Sequence, residues 1–211
     1  MGLPPVNFGR DTVPRVEVAA DSTDRAKAEQ RQRLLDGLAE SIREKGLNET
    51  QVSDVVRLAK ASRRTFYNHF PDKDSAYVEL LDVLTTGIIE QLETATDRTA
   101  PVETQVDQAI DAYLEIVVNE PELAHAYWSP SWGEAVIKAQ RDGYERVAAF
   151  IVDVLDQETG PEVDSMSTER AYMLIVGFHQ SLMRAHALGL DLREVAADVK
   201  PVMKLGFSDQ Y

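Results

Sequence analysis

The chain has 211 residues and a net charge of −14, and it contains no cysteine. Its length permits one or two packed domains, and without cysteine there are no disulfides, thiolate zinc sites or catalytic thiols. The N-terminus lacks the basic and apolar regions of a signal peptide, and no stretch is apolar over the roughly 18 residues that a membrane span needs. We therefore expect a cytoplasmic protein without a membrane partner.

The charge is distributed unevenly along the chain. Residues 24–74 hold 11 Lys and Arg against 9 Asp and Glu, whereas residues 75–211 hold 9 against 24. Within 57–73 five cations are opposed by Asp72 alone, which leaves a local net charge of +4. Because DNA affinity rests on neutralising phosphates, this pattern favours a small basic contact surface on an acidic body that repels DNA elsewhere.

The N-terminal part of the chain is predicted to be an arm followed by a helix. Residues 1–23 contain several prolines and no apolar periodicity, which predicts a disordered arm. A first helix is predicted from Asp24 and is expected to end at Gly46. Its apolar residues recur at helical spacing, namely Leu34, Leu35, Leu38 and Ile42.

Two short helices joined by a tight turn are predicted next. Thr50 is the expected N-cap of the second helix, whose apolar positions at i, i+3, i+4 and i+7 are Val52, Val55, Val56 and Ala59. After a turn at 60–62, Ser62 is the expected N-cap of the third helix, with Phe66 and Phe70 facing inward. This order of elements predicts a helix-turn-helix over residues 50–70.

The rest of the chain is predicted to be helical. Asp72 or Asp74 is expected to begin a long helix, and Pro101 and Pro121 are expected at the first position of later helices. These helices are predicted near 101–118, 120–128, 132–157, 166–188 and 191–205. No window alternates with a period of two, so the predicted fold class is all-α.

Residues 31–82 resemble the DNA-binding module of the TetR family of transcriptional regulators. They carry Gly46 after the first helix, a small-residue turn ending in Ser62, and an aromatic cluster, Phe66-Tyr67-Asn68-His69-Phe70, followed by Lys73. The resemblance covers about a quarter of the chain. It implies a three-helix DNA-binding domain at 24–71 and a C-terminal helical domain for effector binding and dimerisation at 72–211.

Two positions depart from the family pattern. Lys60 stands where glycine is usual, so this lysine is expected to adopt a left-handed backbone at a cost of roughly 1 kcal/mol. It also brings a cation close to the DNA. Gln51 stands where threonine is frequent, which leaves open the residue that caps the second helix and supplies its phosphate contact.

The resemblance assigns DNA contacts to individual positions. It places Arg63, Arg64, Thr65 and Asn68 nearest the bases, where arginine pairs with guanine and asparagine with adenine. Its phosphate contacts fall at Tyr67, His69 and Lys73, although packing alone is the alternative role for Tyr67 and His69. The complete predicted DNA-binding set is Thr50, Ser53, Lys60, Ser62, Arg63, Arg64, Thr65, Tyr67, Asn68, His69 and Lys73. The expected partner is a palindromic double-stranded operator, bound by a homodimer.

The family's C-terminal helices imply an effector pocket and a dimer interface. The predicted ligand-binding residues are mostly large aromatics, namely Tyr113, His125, Tyr127, Trp128, Trp132, Phe150, Phe178 and His179. The predicted dimer residues are apolar, namely Leu174, Phe178, Met183, Val195, Val199 and Val202. Packing inside one subunit is the alternative for both sets.

The function expected from these features is that of a repressor released from its operator by a small hydrophobic or aromatic effector. A ligand-independent regulator is one alternative, and a helical enzyme or small-molecule carrier is another. The four histidines lack the usual metal-ligand spacing, and neither a nucleophile motif nor a glycine-rich phosphate loop occurs. We therefore expect no metal, no cofactor and no catalytic residue.

Overall fold

The computed structural model describes residues 22–127, 133–156 and 168–207, and the regular structure in these ranges is entirely α-helical. Nine helices occur there: α1 Ser22–Glu49, α2 Val52–Leu58, α3 Arg63–His69, α4 Lys73–Ala95, α5 Val102–Asn119, α6 Pro121–Ala126, α7 Glu134–Asp156, α8 Thr168–Ala187 and α9 Leu192–Phe207. The predicted all-α class is confirmed. None of the helices described is both long enough and apolar enough to cross a bilayer.

The described residues divide into two compact units. The first unit contains residues 22–87 together with 122–127 and 133–140, and the second contains 88–121, 141–156 and 168–207. Helices α4 and α7 each contribute residues to both units. The boundary between the two units therefore falls within α4, after residue 87. The boundary predicted from the sequence lies at residue 72.

The predicted N-terminal arm lies outside the described residues except at its end. Residues 22 and 23 already belong to α1, so this helix begins two residues before its predicted start. The predicted end of the helix is marked by Gly46, whose φ of 76° interrupts the helical backbone, although the helical run resumes as far as Glu49.

The core of the first unit is built on the apolar face of α1. Leu34, Leu38 and Ile42 of this face are at most 1% exposed. Helix α2 approaches α1 at Gly37, where an added Cβ would lie only 2.7 Å from the carbonyl oxygen of Val55. A backbone oxygen cannot easily move aside to make room for a Cβ. The close packing of α1 and α2 therefore depends on the absence of a side chain at Gly37.

Two helix starts in the first unit follow the local sequence. Ser62 caps α3, because its Oγ accepts a hydrogen bond from the Thr65 N–H at 3.0 Å. Asp72 caps α4 in the same way, since its carboxylate accepts from the Ser75 N–H at 2.7 Å. Of the two aspartates that the sequence allows at this position, the structure selects Asp72.

The prediction that Thr50 caps α2 is wrong. The N-cap is Gln51, and the Asp54 carboxylate at the third helical position accepts the Gln51 N–H at 3.0 Å. Thr50 is only 1% exposed, and its hydroxyl donates to the Gly46 carbonyl at 2.8 Å. Because the N-cap is one residue later than predicted, the Thr50 side chain lies in the core and does not cap the helix.

The start of α5 also differs by one residue from the prediction. Pro101 is the N-cap of this helix and Val102 its first residue, whereas Pro121 is the first residue of α6 as expected. A proline tolerates both positions because neither requires its missing N–H.

In the second unit, α9 is attached to α5 by a series of ion pairs. Lys204 donates to Asp107 at 2.9 Å, and Lys200 donates to Asp111 at 2.8 Å. Nearer the start of α9, Arg193 pairs with Glu115. These contacts are partly exposed, so each ion pair adds little stability. All three basic residues lie on the side of α9 that faces α5.

Candidate functional site

Helix α3 presents a continuous polar face to solvent. Arg63, Arg64, Tyr67 and Asn68 are exposed, whereas Phe66 of the same helix is completely buried. The helical repeat produces this division, because positions i, i+1, i+4 and i+5 share one side of a helix. The four exposed residues are all members of the predicted DNA-binding set.

The cations at the start of α3 are not neutralised by carboxylates. Lys60, Arg63 and Arg64 form no ion pair with any residue of the described ranges. Arg57, in contrast, donates to Glu44 at 3.1 Å. The positive charge that the sequence assigns to 57–73 is therefore concentrated around the turn and the first residues of α3.

The turn before α3 contains the left-handed residue that the sequence predicts. Lys60 has a φ of 51°, and its side chain is exposed. A non-glycine residue in this conformation is strained by roughly 1 kcal/mol. Lys60 thus occupies a position where glycine would adopt the same backbone with less strain.

The remaining polar candidates near the turn are less exposed than α3. Ser53 on α2 and Thr65 on α3 are each partly exposed. The Thr65 Oγ1 lies 2.9 Å from the Ser62 Oγ, so the two hydroxyls form part of the N-terminal cap. These side chains border the exposed face of α3 and are oriented by the cap.

Lys73 has a different role from the phosphate contact that the resemblance implies. Its Nζ donates to the carbonyl oxygen of Thr50 at 2.8 Å and to that of Leu47 at 3.4 Å. Burial lowers the pKa of this ammonium group. The side chain therefore connects the start of α4 to the junction of α1 and α2, and its contact with a phosphate stays a prediction. Thr50, which is only 1% exposed, is too buried to contact DNA in this conformation.

His69 is also engaged within the first unit. Its Nε2–H donates to the Gln30 Oε1 at 2.9 Å. Burial, and next the positive charge of Arg31, lower the pKa of the imidazole. This hydrogen bond and the partial burial fit the packing role that the sequence left open for His69, and a phosphate contact by this side chain stays a prediction.

Arg31 on α1 positions the end of α3, and sequence reasoning missed it. Its guanidinium donates to the His69 carbonyl at 3.0 Å, pairs with Glu79 of α4 and lies 4.4 Å from the centroid of the Phe70 ring. The partners are 38 to 48 residues away in the chain. No local pattern marks such an arginine, which looks like any other cation of an amphipathic helix.

The second unit contains a small apolar cavity. Its volume is about 40 Å³, and helices α4, α5, α7, α8 and α9 all contribute to its walls. The lining side chains are aliphatic or aromatic, namely Leu92, Val106, Ala109, Ile110, Tyr113, Val147, Ile151, Ile175, Phe178 and Met203. Two of the predicted ligand-binding residues, Tyr113 and Phe178, are among them.

A third predicted ligand residue, His179, lies directly behind this wall. Its Nδ1 is hydrogen-bonded to the Tyr113 hydroxyl, and its ring packs edge-on against Tyr144 at a centroid distance of 5.8 Å. His179 is 1% exposed. The histidine thus orients the tyrosine that lines the cavity. Within the described ranges no three His, Asp or Glu side chains are grouped so that they could hold a metal ion.

Three other predicted ligand residues, Phe150, His125 and Tyr127, are described by the structure and do not line the cavity. Phe150 on α7 stacks with Arg98, at 5.4 Å from Cζ to the ring centroid. His125 is exposed, and Tyr127 is buried with its hydroxyl 2.7 Å from the Thr85 hydroxyl, both in the first unit. Trp128 and Trp132 lie outside the described residues.

The predicted dimer residues are divided between the core and the surface. Phe178 and Met183 are at most 5% exposed within the chain itself, so the prediction that they contact a partner subunit is corrected. Leu174 packs on Gly206 of α9, where an added Cβ would lie 2.6 Å from the Leu174 Cδ2. Val195 and Val199 are partly exposed, and Val202 is 63% exposed.

Other apolar side chains that the sequence analysis did not select are more exposed. Met173 of α8 and Leu205 of α9 are 66% and 62% exposed. With Val202 they are the most exposed large apolar side chains of the last two helices, and we call these three residues together the α8–α9 surface. Which side chains are exposed depends on how each helix is rotated about its own axis, and the hydrophobicity of the sequence does not predict this rotation.

A family model described as bacterial regulatory proteins of the tetR family matches residues 34–80 of the chain. The match includes α2, α3 and the turn between them. No curated protein matches the chain significantly.

Solved structures share the fold at low sequence identity. A TetR transcription regulator from Haloarcula marismortui is 16% identical with a TM-score of 0.68, covering 85% of this chain and 96% of that one. A TetR-family transcriptional regulator from Agrobacterium tumefaciens is 14% identical with a TM-score of 0.67, covering 85% and 98%. The transcriptional regulator FadR from Bacillus subtilis, in complex with stearoyl-CoA, is 20% identical with a TM-score of 0.65, covering 83% and 98%.

Proposed function

We propose that this chain is a TetR-family transcriptional regulator that acts as a homodimeric repressor, a proposal supported by the family-model match over residues 34–80 and by the fold shared with solved regulators. The dimer binds a palindromic operator and leaves it when a small hydrophobic effector is bound. The observation that carries this proposal is the exposed face of α3, which begins with Arg63 and Arg64, two cations that form no ion pair within the described ranges.

The proposed reading of DNA follows from the order of residues along α3. The N-terminal residues of a recognition helix reach the base edges of the major groove. Arg63 and Arg64 would donate to guanine O6 and N7, and Asn68 would pair with adenine. Lys60 and the Tyr67 hydroxyl would contact phosphates, which sets the register without reading the sequence.

The proposed homodimer is supported by the α8–α9 surface. Three of its side chains, Met173, Val202 and Leu205, are each more than 60% exposed, and an exposed apolar patch on a terminal pair of helices is typical of a protein interface. A palindromic operator also needs two recognition helices about 34–36 Å apart, or a multiple of that distance. A second copy of the chain provides both.

The effector proposal is supported by the apolar cavity. Its lining is suited to a hydrophobic ligand, and a structural relative, the Bacillus subtilis FadR, was solved with stearoyl-CoA. The ligand would favour a conformation of the dimer in which the two recognition helices no longer match the half-site spacing. Induction is then a population shift that needs no catalytic step.

A ligand-independent regulator is the second candidate, and the size of the cavity favours it. About 40 Å³ is far below the roughly 300 Å³ of a typical ligand pocket. A thermal-shift screen with hydrophobic compounds distinguishes the two candidates, because a ligand that binds only the folded protein raises its melting temperature.

The operator proposal is tested by selecting binding sites from random duplex DNA with the purified protein. We expect a palindromic consensus with a guanine contact in each half-site. In the Arg63→Ala and Arg64→Ala variants the preference at one position per half-site should relax, at a cost of about 1–3 kcal/mol per contact.

The matched control for this selection is Lys138→Ala, which removes an exposed cation of α7 in the same unit. Its consensus should equal that of the parent protein. A parent protein that selects no consensus contradicts the operator proposal and returns the helical carrier or enzyme to consideration. Unchanged consensus sequences in both arginine variants contradict the assignment of base contacts.

A further inference from the structure

Helix α3 is too short to be stable by itself. It has seven residues, and isolated helices of fewer than about 12 residues are marginal in water. Its first turn is capped locally, because the Ser62 Oγ accepts the Thr65 N–H at 3.0 Å. The last carbonyls of a helix find no partners within it, so the far end of α3 depends on residues from elsewhere in the chain.

Arg31 of α1 supports this end through three parts of one guanidinium group. Its Nη1 donates to the carbonyl oxygen of His69, the last residue of α3, at 3.0 Å. Its Nε and Nη2 donate to the two carboxylate oxygens of Glu79 on α4. Its face lies 4.4 Å from the centroid of the ring of Phe70, the residue that follows α3. All four residues belong to the first unit.

These contacts fix the orientation of the guanidinium. Two parallel N–H groups on one carboxylate hold the guanidinium plane in a defined geometry, and in this geometry Nη1 points at α3. Glu79 is itself held in place, since it is partly buried beside Leu80, which is not exposed at all. The apolar contacts of Phe66 and Phe70 select the buried side of α3, but such contacts are not directional. The hydrogen bond from Arg31 adds the direction that they lack.

We propose that Arg31 is a positioning residue for operator recognition, which holds the end of α3 so that its N-terminal arginines meet the base edges. This inference rests on the proposed function, because it concerns how that function distinguishes the operator from other DNA. Binding to DNA of any sequence needs only exposed cations near phosphates. Bidentate pairing of Arg63 or Arg64 with guanine also needs the correct distance and angle. Loss of Arg31 therefore affects operator affinity much more than affinity for unrelated DNA.

Glu79, the carboxylate partner of Arg31, separates positioning from charge. Its removal makes the chain more positive by one unit, which by itself strengthens binding to every DNA. It also releases the guanidinium from the fork that orients it, which weakens operator binding if the inference is correct. The electrostatic and positioning explanations thus predict opposite changes in operator affinity.

The test measures affinity for the selected operator and for a duplex of unrelated sequence by fluorescence anisotropy. Arg31→Met and Glu79→Met keep a side chain of similar length without its charge. Each should lower operator affinity about tenfold or more, the scale of one misaligned bidentate contact. Arg31→Lys keeps the charge without the fork and the planar face, so it should restore only a small part of the operator affinity. Affinity for the unrelated duplex should change by less than about twofold in all three variants.

Two control variants remove the same charges from exposed positions of the same helices. Arg33→Met takes a cation from α1, and Glu90→Met takes a carboxylate from α4. Neither should change the ratio of operator affinity to affinity for the unrelated duplex.

Hydrogen exchange of backbone amides, measured by NMR, reports on the end of α3 without DNA. The Phe70 N–H donates to the Phe66 carbonyl at 2.9 Å, and in Arg31→Met it should exchange faster than in the parent protein. The Thr65 N–H, which lies in the local cap at the other end, should exchange at the parent rate. A general loss of stability accelerates both amides, so this comparison separates positioning from a merely structural role.

Thermal unfolding shows that each variant is folded before its affinities are compared, and Arg31→Lys and Glu79→Met carry the test if Arg31→Met does not fold. A parent ratio of affinities in Arg31→Met overturns the inference, as does parent behaviour of Arg31→Lys or tighter operator binding by Glu79→Met. These results leave the proposed function intact, because the parent protein still selects an operator. A parent protein without an operator consensus contradicts the proposed function, and the inference falls with it.

Discussion

Lys60 combines a strained backbone with an exposed ammonium group at the turn of the helix-turn-helix. The left-handed φ of 51° arises because the chain must reverse between α2 and α3 within a few residues. Glycine would adopt the same backbone with little strain. The two properties of Lys60 therefore affect stability and DNA affinity in opposite directions.

Substitution of Lys60 by glycine separates these effects. We expect Lys60→Gly to raise the free energy of unfolding by up to about 1 kcal/mol, because the left-handed strain is relieved. The same variant should bind operator DNA more weakly, because a cation near the phosphates is lost. Chemical denaturation and fluorescence anisotropy measure the two quantities.

Lys60→Ala is the matched control for this pair of measurements. It removes the charge but keeps a Cβ in the left-handed conformation, so DNA affinity should fall without a gain in stability. If Lys60→Gly destabilises the fold, or if Lys60→Ala stabilises it equally, strain at this residue is not the explanation.

At the scale of secondary-structure elements, α1 organises the position of α3. Its Gly37 admits the backbone of α2, while its Arg31 holds the final carbonyl of α3 and the Glu79 carboxylate of α4. One helix thus determines the separation from α2 and the orientation of α3. Neither residue belongs to the exposed face of α3, yet both position the helix that carries this face.

Gly37→Ala tests the close contact between α1 and α2. A Cβ at this site would lie 2.7 Å from the Val55 carbonyl oxygen, so the helices must separate. We expect the free energy of unfolding to fall by about 1–3 kcal/mol, as for other overpacked sites. Operator affinity should also fall, because α3 follows α2 through a short turn.

Arg33→Ala provides the control on the same helix, since Arg33 is exposed and surface changes of this kind usually stay within about 0.5 kcal/mol. Chemical denaturation curves of both variants measure the change in the free energy of unfolding. A Gly37→Ala protein as stable as the parent would show that α1 and α2 can move apart without loss.

At the scale of the whole molecule, the chain combines a basic surface at the start of α3 with an acidic remainder. The basic charge is concentrated at Lys60, Arg63 and Arg64, whereas α5 and α9 pair their charges with each other. The α8–α9 surface, which belongs to the second unit, is apolar and exposed. The proposed dimer would form through this surface.

Introducing a negative charge on the α8–α9 surface should break the proposed dimer. We expect the double variant Val202→Glu with Leu205→Glu to sediment as a monomer, because burying two carboxylates without partners is costly. Its operator affinity should drop by about tenfold or more, since one half-site is then read alone. Analytical ultracentrifugation and anisotropy measure both effects.

The control Ala197→Glu adds one carboxylate, half the charge of the double variant, at an exposed position of α9 that is not one of the three residues of this surface. It should leave the oligomeric state unchanged. A parent protein that is monomeric at micromolar concentration, or a double variant that remains dimeric, contradicts the assignment of the interface.

The sequence by itself determined the features whose causes are local. Ser62 caps α3 and Lys60 adopts the left-handed turn, because a cap or turn depends on residues within three or four positions. The apolar spacing of Phe66 and Phe70 likewise predicted which side of α3 is buried. These local features suffice to identify the helix-turn-helix.

Only the tertiary structure decided which side chains meet across the fold. In the tertiary structure the Thr50 side chain lies in the core and bonds to Gly46, and Lys73 donates to the carbonyls of Thr50 and Leu47. Arg31 contacts Glu79, which is 48 residues away in the chain. The tertiary structure also placed Tyr113 and Phe178 in one cavity and Tyr127 in a separate cluster. Contacts of this range depend on how helices rotate and pack against one another, and helical periodicity specifies a face of each helix but not its partner.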